Sequence, residues 1–110
     1  MIKYKGLQIS PAELEAVLVG HERIHDAAVV GVPDPNIPGN ELPKAFVVPG
    51  PGRGGITADE VRNHVNKHLA AYKQLRGGVE FIDLIPRNPS GKILKRLLSK
   101  KAPSQRLERL

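Results

Sequence analysis

Lys92 lies in the run Pro86-Arg87-Asn88-Pro89-Ser90-Gly91-Lys92-Ile93-Leu94-Lys95-Arg96. Two prolines, an Asn, a Ser and a Gly build a turn there, between a strand-like segment, Val79 to Ile85, and a basic, Leu-rich helix. The chemistry open to such a lysine is that of a cation held at one place. Nothing about a helix start requires it, because a cation at an N-terminal turn is mildly unfavourable against the helix dipole. An ordinary surface lysine and a lysine placed for chemistry therefore stand side by side. At the other end, Ile2-Lys3-Tyr4-Lys5-Gly6-Leu7-Gln8-Ile9 alternates and is broken by one glycine. It reads as a bent strand or short hairpin, in which Gly6 serves either a positive φ or the close approach of a backbone or ligand.

Other constellations are weaker. Gly50-Pro51-Gly52-Arg53-Gly54-Gly55 matches GxGxxG, but Pro51 within the turn and the lack of an acidic residue near position 75 favour an exposed connection. Asp34, Asn36 and Gly39 resemble part of a calcium loop, yet Ala45 stands where the bidentate Glu belongs. His64 and His68 are one helical turn apart without a following Glu or a third ligand, so no metal site is indicated. The serines lack a nucleophile-elbow context.

The positioning elements follow from capping and periodicity. Ser10-Pro11-Ala12-Glu13 starts a helix with a cap, an N1 proline and a capping box, Leu14, Val17 and Leu18 forming its buried stripe and Gly20 ending it. Asp26 to Val32 is a strand buried on both faces, followed by a loop over Pro33 to Pro43 and a second strand, Lys44 to Val48. Thr57-Ala58-Asp59-Glu60 opens a helix directing Val61, Val65 and Leu69 inward. Tyr72 to Gly78 is a basic connector, Val79 to Ile85 a third strand, and Ile93, Leu94, Leu97 and Leu98 the apolar side of a last helix. The fold class is α+β: a small three-stranded sheet covered by helices and preceded by an N-terminal β-hairpin.

Composition narrows the partners. The net charge is +6 over 110 residues, but eight Lys/Arg against one Glu fall from Arg87 onward, while residues 1–86 carry nine against ten. With two Tyr, two Phe and no Trp, the chain lacks the stacking platforms of a single-strand nucleic-acid binder, and no nucleic-acid partner is expected. The absence of Cys excludes disulfides and thiol chemistry and fits a reducing compartment. No apolar run is long enough to span a bilayer. A cytoplasmic location is expected; the peroxisome is the alternative, since Glu108-Arg109-Leu110 is a poor version of a peroxisomal address.

Two stretches together, Ile2 to Glu15 and Pro89-Ser90-Gly91-Lys92-Ile93-Leu94-Lys95, resemble the C-terminal domain of the acyl-adenylate-forming enzymes: acyl-CoA synthetases, 4-coumarate-CoA ligases, beetle luciferases and peptide-synthetase adenylation domains. Val30-Gly31-Val32-Pro33-Asp34, Glu41 to Val48 and Tyr72-Lys73 occur between them in the family's order. The resemblance covers residues 1–103 and departs at Asn40, inserted between Gly39 and Glu41, which affects only a surface loop.

This resemblance implies that residues 1–110 are one C-terminal lid domain, with 103–110 a flexible tail, lacking the N-terminal domain that binds ATP, Mg2+ and the acyl substrate. Lys92 is then the adenylation lysine of an acid-CoA ligase. After domain rotation Lys3 acts at the adenylate, Lys5 and Gly6 lie along coenzyme A, and Gln8 lies near the adenylate. The implied substrates are ATP, a carboxylic acid and CoA, CoA being favoured over a carrier protein, and the isolated chain is expected to be inactive. The alternatives are a basic module for nucleic acid or anionic membrane, and a domain docking on a separately encoded adenylating core.

Overall fold

The computed structural model describes residues 1–50 and 55–100. The interior of the glycine-rich stretch, at 51–54, and the tail with its terminal tripeptide lie outside the described residues. At the N-terminal end β1 (Ile2–Tyr4) and β2 (Leu7–Ile9) form an antiparallel hairpin. Its two turn residues, Lys5 and Gly6, both have positive φ, 49° and 80°. A tight two-residue turn of the I′ kind requires this pair to match the twist of the strands.

α1 (Pro11–Val19) begins with Pro11 in its first turn and the Ser10 hydroxyl accepting the Glu13 N–H at 3.2 Å. The reciprocal half of the expected capping box is replaced by a longer-range contact: the Glu13 carboxylate pairs with Lys73 at 2.7 Å. Leu14 and Leu18 are fully buried and Val17 only partly.

β3 (Ile24–Pro33) and β4 (Glu41–Pro49) form a long antiparallel ladder, and β5 (Gly78–Phe81) adds parallel to β4, giving the order β3-β4-β5. The parallel connection runs through α2 (Ala58–His68), whose Thr57–Glu60 capping box is complete, as parallel neighbours require a crossover. Strand alternation divides the core. Ala27, Val29, Ala45 and Val47 face α1, α2 and the hairpin, whereas Ala28, Val30, Phe46 and Val48 face Ile82, Ile85 and Leu98 of α3 (Lys95–Lys100).

The α+β class and element order agree with the expectation; several boundaries do not. β4 starts at Glu41 rather than Lys44. Pro43 is tolerated because β5 pairs with β4 only from Lys44 onward, so the absent N–H falls ahead of that ladder. β5 ends at Phe81 rather than Ile85, although Ile82 and Ile85 stay buried in the second core. Ile93 and Leu94 precede α3; Ile93 bridges to Arg87, and of the helix's leucines Leu98 is fully buried while Leu97 is exposed.

Candidate functional site

Lys92 is carried by a tight turn tied at three levels. Leu94 N–H donates to the Pro86 carbonyl at 2.8 Å, Asn88 N–H to the Lys92 carbonyl at 2.9 Å, and Gly91 N–H to the Asn88 carbonyl at 2.9 Å. Pro89 suits the second position of such a turn, and Gly91, at φ 93°, follows in the left-handed region. Inside it the Asn88 Oδ1 accepts three bonds: from Lys92 N–H at 2.9 Å, Ser90 N–H at 3.1 Å and the Ser90 hydroxyl at 2.7 Å. Arg87 anchors the turn to the sheet, donating to Asp26 at 2.7 Å and to the Gly91 carbonyl at 2.9 Å. The backbone of Lys92 is thereby held while its side chain is exposed. Among the described residues, its ammonium group has no ion pair or hydrogen bond.

Neighbouring cations are employed differently. Lys95 pairs with Glu15 at 3.0 Å, and the same Glu15 oxygen accepts the Val29 N–H at 2.8 Å. One carboxylate thus satisfies a donor on the outer edge of β3 and fastens the start of α3 to α1. Lys44 pairs with Glu80 at 3.0 Å, Lys73 with Glu13, and Arg23 with Glu60 at 2.6 Å.

The second group of expected site residues is gathered on the hairpin. Lys3 and Gln8 are cross-strand partners, so their side chains share the outward face, while Ile2 and Ile9 fill the core beneath. Lys5 and Gly6 form the turn itself. A methyl group at Gly6 would meet nothing within 4 Å, so of the two roles expected for this glycine within the chain, positive φ is the one it fulfils. Tyr4 is buried beneath the Arg76 guanidinium, 4.8 Å from its ring centroid. Lys92 stands apart from this group, beside the core on the other face of the sheet.

The end of the β3–β4 loop and the first residue of β4 hold the hairpin, a role that sequence reasoning missed. Glu41 accepts the Lys3 N–H at 2.8 Å and the Asn40 Oδ1 accepts the Lys5 N–H at 2.5 Å. Asn40 is therefore not an inconsequential insertion in a surface loop: it is buried, and its amide donates to Asp34 at 2.9 Å. The Asn40 amide, followed by the Asn36 N–H, keeps the Asp34 carboxyl below its ordinary range. Asp34's oxygens are engaged by Asn36 and Asn40, contacts internal to the loop. His64 Nε2 lies 2.8 Å from the Val17 carbonyl and His68 Nδ1 2.8 Å from the His64 carbonyl. Among the described residues no group of three or more His, Asp or Glu is placed to hold a metal ion, and no helix is long and apolar enough to cross a membrane.

Residues 13–92 match the model of the AMP-binding enzyme C-terminal domain. The chain is 52% identical over 101 residues to the phenylacetyl-CoA ligase epaB of Aspergillus niger, covering 92% of this chain and 18% of that protein. It is 48% identical over 101 residues to 4-coumarate–CoA ligase 5 of rice, Oryza sativa subsp. japonica, with the same two coverages. The crystal structure of the Brucella canis acyl-CoA synthetase superposes with a TM-score of 0.78 at 41% identity, over 88% of this chain and 18% of that one. The chain thus spans about a fifth of the length of the relatives it matches.

Proposed function

The chain belongs to the AMP-binding enzyme C-terminal domain family, and from that premise we propose that it is the mobile lid of an ATP-dependent acid-CoA ligase, working with an N-terminal domain that holds ATP, Mg2+ and the carboxylic acid. In the first step the acid's carboxylate attacks the α-phosphate of ATP, giving acyl-AMP and releasing pyrophosphate. Two anions must meet there, and a cation fixed between them lowers the repulsion and stabilises the charge of the transition state. Lys92 supplies that cation. In the second step the thiol of CoA attacks the acyl carbon and AMP leaves. The domain has then rotated, withdrawing Lys92 and presenting the hairpin: Lys3 and Gln8 toward the adenylate, Lys5 and Gly6 along the pantetheine arm.

The observation that carries this reading is the contrast between Lys92 and two of its neighbours, Arg87 and Lys95. Arg87 and Lys95 flank it and are tied to Asp26 and Glu15, whereas the Lys92 ammonium, extending from a backbone fixed by Asn88, has no partner among the described residues. An exposed cation on a rigid mount suits delivery to a substrate bound elsewhere. The open space above Gly6 supports the second role, since a narrow thiol arm could pass there without displacing side chains. The pairing of Arg87 and Lys95 also weakens the rival basic module, because those charges are already neutralised within the domain.

The test is to assay the purified 110-residue chain beside the same chain joined to the N-terminal domain of its rice 4-coumarate ligase relative. The joined protein should form acyl-CoA dependent on ATP and CoA, and the chain alone should neither consume ATP nor form thioester. Turnover by the chain alone, or a folded joined protein that binds ATP and acid yet forms no acyl-AMP, would overturn the proposal.

A further inference from the structure

Asn40 lies 35 residues from Lys5 in sequence and holds this most strained position of the hairpin. Lys5 is a non-glycine residue at φ 49°, a conformation that persists only where the surroundings impose it. Its N–H points to the Asn40 Oδ1 at 2.5 Å. The Asn40 amide is oriented in turn by the Asp34 carboxylate at 2.9 Å, and Asp34 N–H returns a bond to the Asn40 carbonyl at 2.9 Å. Asn40 is 7% exposed, and both of its side-chain bonds are partly buried. One amide thus joins the β3–β4 loop to the hairpin turn, accepting on one side and donating on the other.

We propose that Asn40 is a positioning residue for the thioester-forming step, setting the Lys5–Gly6 turn in the shape that receives the thiol arm of CoA. This rests on the reading that the hairpin faces CoA. Asn40 touches no substrate; it acts through the backbone of Lys5. Without it the turn is free to leave the left-handed pair of conformations, and apparent affinity for CoA falls with the population of the competent shape.

The arrangement supplies its own control. In the double variant Asp34→Asn/Asn40→Asp the donor and acceptor exchange places: the new amide donates to the new carboxylate, which still accepts the Lys5 N–H, and net charge is unchanged. In the 110-residue chain, amide hydrogen exchange followed by NMR should accelerate about tenfold at Lys5 in Asn40→Ala, the scale of one lost hydrogen bond, with Phe46 unchanged, and return in the double variant. In the complete ligase, Asn40→Ala should lower kcat/KM for CoA about tenfold while leaving acyl-AMP formation unchanged, and the double variant should recover most of the loss.

Gly6→Asn separates the two levels of the claim, because Asn tolerates the left-handed region and adds bulk only to the open side. If Gly6→Asn impairs thioester formation and Asn40→Ala does not, the role of Asn40 is wrong and the hairpin reading stands. If Gly6→Asn leaves the CoA step intact, the hairpin reading falls and takes this inference with it. Equal losses in both half-reactions of Asn40→Ala would make Asn40 a general stability residue and overturn the proposal.

Discussion

Replacing Asn88 by Ala in the complete ligase should loosen Lys92 without removing it. The Asn88 Oδ1 accepts the backbone N–H groups of Ser90 and Lys92 at 3.1 and 2.9 Å. Both bonds are exposed, so each contributes about 0.5–1 kcal/mol net, and together about 1–2 kcal/mol. That corresponds to about a 5- to 30-fold fall in the ordered population of the turn. The main-chain bond from Asn88 to the Lys92 carbonyl and the Arg87 contacts remain, so the loop is loosened rather than lost. ATP–pyrophosphate exchange at saturating acid should therefore fall about 5- to 30-fold, less than the loss on deleting the ammonium group itself. The decisive comparison is the double variant. If Asn88 acts by positioning Lys92, then Asn88→Ala in a Lys92→Ala background should lower exchange little further. Wild-type exchange in Asn88→Ala, or a full multiplicative loss in the double variant, would refute the reasoning.

Stability offers two further tests. Gly77→Ala places a methyl group 2.8 Å from the Pro43 carbonyl and 2.9 Å from Val32 Cγ2, and that carbonyl already accepts the Gly77 N–H at 2.7 Å. A cost of about 1–3 kcal/mol should lower Tm by about 5–15 °C in a scanning-calorimetry trace; an unchanged Tm would show that the junction into β5 is free to shift. Asp34, held below its ordinary value chiefly by the Asn40 amide, is ionised more readily in the folded than in the unfolded chain. Its contribution is present above the ordinary Asp range and is lost as pH falls through the lowered folded value. Asp34→Asn should flatten the acid limb of a urea-stability curve measured from about pH 5 to pH 3, and an identical slope would refute the role of that carboxylate.

The element order was legible because alternation and capping act locally. Thr57-Ala58-Asp59-Glu60 fulfils its capping box within one helical turn, and the apolar run at Ala27 to Val30 is buried on both faces as its composition indicates. The misplaced boundaries have long-range causes. Pro43 suggests a loop, yet it lies opposite Gly31 in the β3–β4 ladder, ahead of the point where β5 joins. Glu13 suits a capping box until Lys73, 60 residues later, takes its carboxylate. The lysine turn and the hairpin were recognisable from residue types alone. Their supports were not: Asn40 and Glu41 act on backbone N–H groups 35 and 38 residues away, and a side chain that binds backbone leaves no partner residue in the sequence to signal it.

The central claim, that Lys92 serves one half-reaction and is withdrawn for the other, is tested most directly by Lys92→Ala in the complete ligase, with acyl-AMP formation and thiolation of supplied acyl-AMP measured separately. Loss of one charge partner at the transition state should depress the first about 10²- to 10³-fold and leave the second within about twofold of wild type, a difference under about 0.5 kcal/mol. Equal loss in both half-reactions, or no loss in the first, would contradict it.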